Sequence, residues 1–139
     1  VYGPWGRPDM AMFLFTDAIL NHQPLKVFNH GDLSRDFTYI DDIIQGIDKI
    51  LEDKNTNEKY QLYNIGNSKP VQLMDFIKEI EKSTGEKAIL EMYPMQAGDV
   101  NQTWADVQEL KDKFGYHPNY PVDKGVFNFV QWYKKYYNK

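Results

Sequence analysis

Two arginines lie in loop-like stretches of the sequence, where a permanently charged side chain could bind an anion. Arg7 occurs in PWGRPDM, ahead of a helical pattern, and Arg35 occurs in GDLSRDFTYIDD, at the start of a run of β-forming residues. A guanidinium can form two parallel hydrogen bonds with a carboxylate or a phosphate, and the helix N-terminus beside Arg7 would strengthen such binding. The alternative is structural: Arg7 is solvated in a tight turn, and Arg35 pairs with Asp32 or Asp36.

A third polar stretch, MQAGDVNQTWAD, contains Gly98 and Asp99 in an irregular loop between a predicted strand and a predicted helix. A carboxylate in such a loop can accept hydrogen bonds from a ligand. It can equally bind its own backbone and stabilise a turn, so both interpretations of Asp99 remain open from the residues alone.

The sequence lacks the motifs of a complete enzyme. No Gly-rich phosphate loop follows a predicted strand, and no Ser or Thr occupies a nucleophile elbow. Tyr120 and Lys124 have the Tyr-x-x-x-Lys spacing in which, on a helix, the ammonium lowers the pKa of the phenol. Pro121 disfavours helix at the residue before it, so we interpret this match as chance.

The composition excludes several classes of function. The 139 residues carry a formal net charge of −4, so neither nucleic acid nor an anionic membrane is an expected partner. The absence of Cys excludes disulfides and thiolate zinc sites and permits a cytoplasmic location. The three His are scattered, so no metal site is predicted, and the apolar run MAMFLF is far too short to span a bilayer.

Helical and strand patterns alternate along the chain, which favours an α/β or α+β fold in one unit, 1–139. Helices are predicted at 9–22 with Asp9 as N-cap, to Leu51 with Asp41 or Asp42 as N-cap, and at 71–85, 105–115 and 122–137. Strands are predicted at 24–29, 35–40, 60–66 and 88–93, with a solvated connection at 52–59. The residues predicted to point inward from the 71–85 and 122–137 helices are Leu73, Phe76, Ile77, Ile80, Val126, Phe129, Val130 and Tyr133.

Five stretches, spread over nearly the whole chain, resemble one family and follow its order. They are VYGPWGRPDMA, GDLSRDFTYIDDI, YNIGN followed by PVQLMDFI, MQAGDV followed by TWAD, and GVFNFVQWYKKYY. They resemble the carboxyl-terminal half of the extended short-chain dehydrogenase/reductases, the NAD-dependent epimerases and dehydratases of nucleotide sugars. Within that family, RPDMA and MQAGDV are most similar to the UDP-glucuronate 4-epimerases.

The resemblance implies a reaction in which C4 of the sugar is oxidised to a 4-keto intermediate, the sugar rotates, and the hydride returns to its other face. In the family a tightly bound NAD carries the hydride, and the Gly-rich NAD loop and the catalytic Tyr-x-x-x-Lys pair lie upstream of the half that this chain resembles. The resemblance therefore implies that 1–139 is the substrate-binding, carboxyl-terminal part of a cytoplasmic isomerase. This part alone is expected to be inactive and to bind no NAD.

The resemblance also implies which residues contact the charged groups of a UDP-sugar. Arg7 would bind the glucuronate carboxylate or a neighbouring sugar group, and Arg35 would bind the diphosphate. Gln96 occupies a position where galactose-type relatives often carry a diphosphate-binding Arg. That departure would leave Arg35 as the main cation of the site.

Contacts to the uridine are implied in the same way. Lys26, Val27 and Phe28 would meet the uracil, largely through backbone groups and stacking. Asp99 would accept hydrogen bonds from the ribose hydroxyls. Catalytic, NAD-binding and metal-binding residues are not expected in this chain.

In the family, the segments that correspond to 36–66 pack on the NAD-binding domain. In this chain, the helix after Asp42 would therefore expose its apolar stripe or cover it by self-association. The stripe consists of Ile43, Ile44, Ile47, Ile50 and Leu51.

Two alternative functions remain open from the sequence. One is a nucleotide-sugar decarboxylase or dehydratase built on the same scaffold. The other is a non-catalytic nucleotide-sugar-binding or assembly module that retains only this half.

Overall fold

The computed structural model describes residues 1–54 and 60–139, so most of the predicted connection at 52–59 lies outside the described residues. The helices are α1 (Ala11–Leu20), α2 (Ile40–Glu52), α3 (Leu73–Thr84), α4 (Gln108–Phe114) and α5 (Val122–Tyr137). The strands are β1 (Pro24–Val27), β2 (Ser34–Arg35), β3 (Val71–Gln72) and β4 (Ile89–Met92). This mixture of helices and strands confirms the predicted fold class.

The strands form two small sheets. β1 pairs in parallel with β4, from Pro24 opposite Ile89 to Val27 opposite Met92, and β2 pairs antiparallel with β3. Parallel strands need a long crossover connection, and the chain between β1 and β4 contains α3. The side chains of β1 alternate between the two faces, so Leu25 is buried while Lys26 is exposed.

Three helices, α1, α3 and α5, enclose the main core. Phe76 and Ile80 of α3 and Phe129 of α5 have no exposed surface. Phe37 stacks flat on Phe76, with ring centroids 3.7 Å apart. Burial of one such side chain contributes about 1.5–3 kcal/mol to the stability of the fold. The core therefore holds α1 and β2, and the loops next to them, in place.

The helices with dense apolar patterns lie close to their predicted positions. α5 spans the predicted 122–137, and its predicted inward residues are buried. α3 begins at Leu73, two residues later than predicted, because Val71 and Gln72 pair with β2. It ends before Gly85, whose φ of 83° is the left-handed conformation that glycine adopts without strain.

Two predicted strands are wrong. Residues 35–40 are in β2 only at their start, and the pairing farther along is an isolated bridge between Tyr2 and Tyr39. Residues 60–66 form no strand, and Leu62 among them is exposed. Their composition favours β structure, but a strand also needs a neighbouring strand, and none lies beside them in the described part of the chain.

The predicted helix caps are also wrong. Asp9 forms an ion pair with Arg7 instead of capping α1. Asp42 lies inside α2, is 2% exposed, and accepts hydrogen bonds from the backbone amides of Asn119 at 2.7 Å and Tyr120 at 3.1 Å. The Asp42 carboxylate therefore binds backbone amides that are distant in the sequence, and it does not cap α2.

One face of α2 is apolar and uncovered by the described residues. Ile44, Ile47 and Leu51 are 48%, 40% and 75% exposed. Leu62 is a further apolar side chain with 75% of its surface exposed. The other two residues of the predicted stripe are half-buried, so the expected exposure holds for three of its five residues. Contiguous apolar surface of this kind favours association with another surface.

Candidate functional site

A cavity of about 500 Å³ opens beside α1 and β1. Leu14 and Phe15 of α1 and Phe28, directly after β1, give it a largely apolar wall. Two charged side chains, Lys26 and Asp99, also line it. An apolar cavity with a few polar groups at defined positions is the usual form of a small-molecule site.

The pairing of β1 with β4 builds the aromatic part of this wall. Tyr93 follows β4 and donates its backbone N–H to Val27 O at 2.8 Å. Its ring lies 5.7 Å from the ring of Phe28, tilted by 43°, and Lys26 Nζ lies 5.7 Å from the centroid of the same Tyr93 ring. Val27 is fully buried and does not line the cavity, so its predicted contact with the uracil is not available in this structure.

Sequence reasoning missed Tyr93 as a residue of this neighbourhood. It ends the predicted strand at 88–93, but nothing in the sequence indicates that this strand lies parallel to β1. The Tyr93 hydroxyl donates to Glu91 Oε2 at 3.2 Å. This hydrogen bond raises the pKa of Tyr93, so the ring faces its surroundings as a neutral phenol at physiological pH.

Arg35 and Asp99 form a partly buried ion pair at the edge of the cavity. The distance from Arg35 Nη2 to Asp99 Oδ1 is 2.5 Å, and the two side chains are 27% and 31% exposed. Arg35 Nη1 donates to the backbone oxygens of Ser34 at 2.9 Å and Asn101 at 3.3 Å. Asp99 Oδ1 also accepts from the Val100 amide at 2.9 Å. The structural alternative for Arg35 was a pair with Asp32 or Asp36, but its ion-pair partner is Asp99.

A second cavity of about 340 Å³ opens beside Arg35. Arg35, Asp36, Met10 and Thr103 line it. Ala11 of α1 lines both cavities. Of the two residues of the ion pair, Asp99 lines the first cavity and Arg35 lines the second.

Arg7 and Gln96 line neither of the two cavities. Arg7 is 71% exposed and binds Asp9 through Nε at 3.1 Å and Nη2 at 2.5 Å. The hydrogen bond from Arg7 lowers the pKa of Asp9. Gln96 is exposed, and its backbone oxygen accepts the Asp99 amide at 3.1 Å. Their predicted roles as ligand contacts remain predictions.

The glycines of GPWG do not form a cradle for the pyrophosphate of a dinucleotide. A Cβ on Gly3 would lie 2.5 Å from Cγ2 of Ile40, so this backbone is packed against α2. The Gly6 amide donates to Gly3 O at 3.2 Å, which closes the turn on itself. An NAD site of the Gly-rich type needs free amides at a helix N-terminus, and these residues do not fit it.

Tyr120 and Lys124 do not lie together on one helix in this fold. Tyr120 lies before α5, and Lys124 Nζ lies 4.5 Å from the centre of the Tyr120 ring. A hydrogen bond to Asp41 raises the pKa of Tyr120. A general base needs the opposite shift, which supports the interpretation of this spacing as chance.

The described residues contain no cluster of three or more His, Cys, Asp or Glu that could hold a metal ion. Among the helices in residues 1–54 and 60–139, none is long and apolar enough to cross a membrane.

Comparison with known proteins identifies the family. Residues 1–66 match the NAD dependent epimerase/dehydratase family. Over its whole length the chain is 42% identical to Protein CapI of Staphylococcus aureus and 40% identical to a probable UDP-glucuronate 4-epimerase of Rhizobium meliloti (strain 1021). This chain belongs to the NAD-dependent epimerase/dehydratase family. The family predicted from the quoted motifs is therefore confirmed.

Solved members of the epimerase/dehydratase family share the fold of this chain. The UDP-glucuronic acid 4-epimerase from Bacillus cereus, solved in complex with UDP-glucuronic acid and NAD, superposes with a TM-score of 0.90 at 34% identity. The superposition covers 98% of this chain and 43% of that enzyme. The chain likewise spans 46% of the length of the two curated relatives.

Proposed function

We propose that this chain is the UDP-sugar-binding part of an NAD-dependent 4-epimerase whose substrate is UDP-glucuronate. One observation carries the proposal: the cavity beside α1 has an apolar wall, and the Arg35–Asp99 pair stands at its edge. Support comes from the similarity of the fold to an enzyme solved with UDP-glucuronic acid and NAD.

The chemistry of the cavity suits the uridine end of the ligand. A uracil ring would lie against Phe28, beside the tilted ring of Tyr93. Stacking of a nucleobase on an aromatic ring contributes about 1–3 kcal/mol. The backbone of Lys26, which lines the cavity, would contact the uracil edge. Asp99 would accept hydrogen bonds from the ribose hydroxyls through Oδ2, since its Oδ1 binds Arg35 and Val100.

Arg35 would bind the diphosphate while it holds Asp99. A guanidinium has five N–H donors. Nη1 uses its two on the backbone oxygens of Ser34 and Asn101, and Nη2 uses one on Asp99. The donor on Nε and the second donor on Nη2 remain for phosphate oxygens. The neighbouring Gln96 would add an uncharged hydrogen bond to the same group.

Arg7 would bind the carboxylate of the sugar in exchange for Asp9. The present pair with Asp9 already uses the two-bond geometry that a glucuronate carboxylate would use. Water screens an ion pair this exposed, so it contributes little to stability and the exchange costs little. The described residues thus bind and orient the substrate, and no hydride step is assigned to them.

Calorimetric titration of the chain tests the binding part of the proposal. UDP and UDP-glucuronate should bind at one site, and Phe28→Ala should weaken both by about 5- to 150-fold, the equivalent of the stacking energy. Phe127→Ala is the matched control, because Phe127 is 52% exposed on α5 and does not line the cavity. Equal effects of the two variants, or no binding to the wild-type chain, would contradict the proposal.

Product analysis tests the reaction itself. The enzyme that contains this chain should convert UDP-glucuronate into its C4 epimer, which proton NMR of the sugar ring distinguishes. Release of carbon dioxide with formation of a pentose would show a decarboxylase instead. Binding of UDP-glucuronate without any conversion would favour the non-catalytic binding module.

A further inference from the structure

The carboxylate of Asp36 joins three separate segments of the chain. Its Oδ2 accepts hydrogen bonds from the amide of Ser68 at 3.0 Å and from the amide of Ala105 at 3.0 Å. Ser68 is 32 positions away along the chain and Ala105 is 69 positions away. Hydrogen bonds to an ionised acceptor are stronger than bonds between neutral groups, so one side chain fixes two distant backbones.

The contact around Asp36 is closely packed. A Cβ on Gly66 would lie 2.8 Å from Asp36 Oδ2 and 2.6 Å from the Ala105 side chain, so only glycine permits this approach. Asp36 Oδ1 is buried and has no hydrogen-bond partner among the described residues. An unpartnered buried oxygen destabilises the fold, so the two amide bonds must offset that cost.

The segment that ends at Ala105 begins at Asp99, and we call residues 99–105 the 99–105 loop. It runs along β2: the Ser34 amide donates to Asn101 O at 2.9 Å, and the Thr103 amide donates to Ser34 O at 3.3 Å. One end of the loop is held by Arg35 through Asp99. The other end is held by Asp36, the next residue in the sequence after Arg35.

We propose that Asp36 is a positioning residue that fixes the 99–105 loop on β2 and so holds Asp99 against Arg35 at the substrate site. This inference rests on the proposed UDP-sugar site, and it assigns a task to a carboxylate that need not touch the ligand. Without the amide bond to Ala105, one anchor of the loop is lost. Asp99 then leaves the cavity edge for part of the time.

Asp42 provides a matched control for Asp36. Its carboxylate likewise accepts two backbone amides, those of Asn119 and Tyr120. It lines neither of the two cavities. Asp36→Ala and Asp42→Ala should therefore destabilise the fold in similar ways, while only Asp36→Ala should act on the site.

Titration with UDP is the first measurement. Asp36→Ala should weaken UDP binding by about tenfold, which corresponds to about 1.4 kcal/mol, and Asp42→Ala should leave the affinity unchanged. Asp36→Asn should recover most of the affinity, because its amide oxygen can still accept both backbone bonds. In an Asp99→Ala background, Asp36→Ala should have no further effect, since it acts through Asp99.

Amide hydrogen exchange is the second measurement, and it does not depend on any ligand. Exchange at Ser34 and Thr103 should accelerate in Asp36→Ala and remain at the wild-type rate in Asp42→Ala. Failure of the wild-type chain to bind UDP would contradict the proposed function, while the exchange rates would still decide the role of Asp36. Unchanged exchange at both amides, or additive effects of Asp36→Ala and Asp99→Ala on UDP affinity, would overturn the inference.

Discussion

Arg35 and Asp99 are 64 positions apart in the sequence, and their side chains meet with Arg35 Nη2 2.5 Å from Asp99 Oδ1. The pair connects β2 to the loop after β4, and the two residues line adjoining cavities. It therefore places a cation beside a carboxylate, as the proposed recognition of the diphosphate by Arg35 and of the ribose by Asp99 requires.

Arg35→Ala should weaken the binding of UDP, UDP-glucose and UDP-glucuronate alike. A hydrogen bond between charged partners is worth about 1.5–3 kcal/mol, which corresponds to about 10- to 150-fold in each dissociation constant. Arg35→Lys should recover only part of the loss, because a single ammonium cannot hold Asp99, two backbone oxygens and a phosphate together. Calorimetric titration of the three ligands measures this, and unchanged affinity for UDP would remove Arg35 from the site.

Arg7→Ala should act on the sugar carboxylate alone. The affinity for UDP and UDP-glucose should stay near the wild-type value, because Arg7 is 71% exposed and lines neither cavity. The affinity for UDP-glucuronate should fall by about 10- to 150-fold. Dissociation constants for the three ligands decide the matter. An equal loss for all three would show that PWGRPDM contacts the diphosphate, or only begins α1.

The sequence predicts helices best where apolar residues repeat densely along one face of the helix. α3 and α5 lie near their predicted positions because Phe76, Ile80, Phe129 and Val130 repeat at helical spacing. The segment at 60–66 has equally clear β-forming composition, yet no strand forms, because pairing depends on a neighbour that no local pattern specifies.

The candidate site was predictable only in part for the same reason. Family motifs point to Arg35 and Asp99 as single residues, but their contact depends on how the 99–105 loop lies along β2. Tyr93 comes beside Phe28 through the parallel pairing of β4 with β1. Long-range register of this kind cannot be read from residue spacing.

Gly125→Ala should destabilise the protein, although this change usually stabilises the interior of a helix by about 0.5–1 kcal/mol. A Cβ at this position of α5 would overlap the Tyr2 hydroxyl and lie 2.9 Å from Cδ2 of Tyr39. Overpacking costs about 1–3 kcal/mol, so the clash outweighs the helix preference. Urea unfolding measures the change. Adding Tyr2→Phe should recover part of it, and a more stable Gly125→Ala protein would contradict this packing.

The exposed apolar face of α2 should make the chain associate with itself. Ile44 and Ile47 are 48% and 40% exposed, and burying such a side chain contributes about 1.5–3 kcal/mol. Sedimentation should show a mass that rises with concentration, and the double change Ile44→Lys with Ile47→Lys should abolish the rise. Phe127→Lys, at an exposed position of α5, is the control that should leave association unchanged. A wild-type chain that stays monomeric at high concentration would exclude this surface as a self-association site.

A chemical-shift titration of the isotope-labelled chain with UDP tests the central claim most directly. One UDP per chain should bind, and the largest shifts should fall on the backbone amides of Lys26, Phe28, Arg35 and Asp99, around the two cavities that meet at the ion pair. The same titration of Arg35→Ala should need a much higher UDP concentration to reach the same shifts. Saturable shifts confined to α4 or the end of α5, or no shifts at millimolar UDP, would contradict the account.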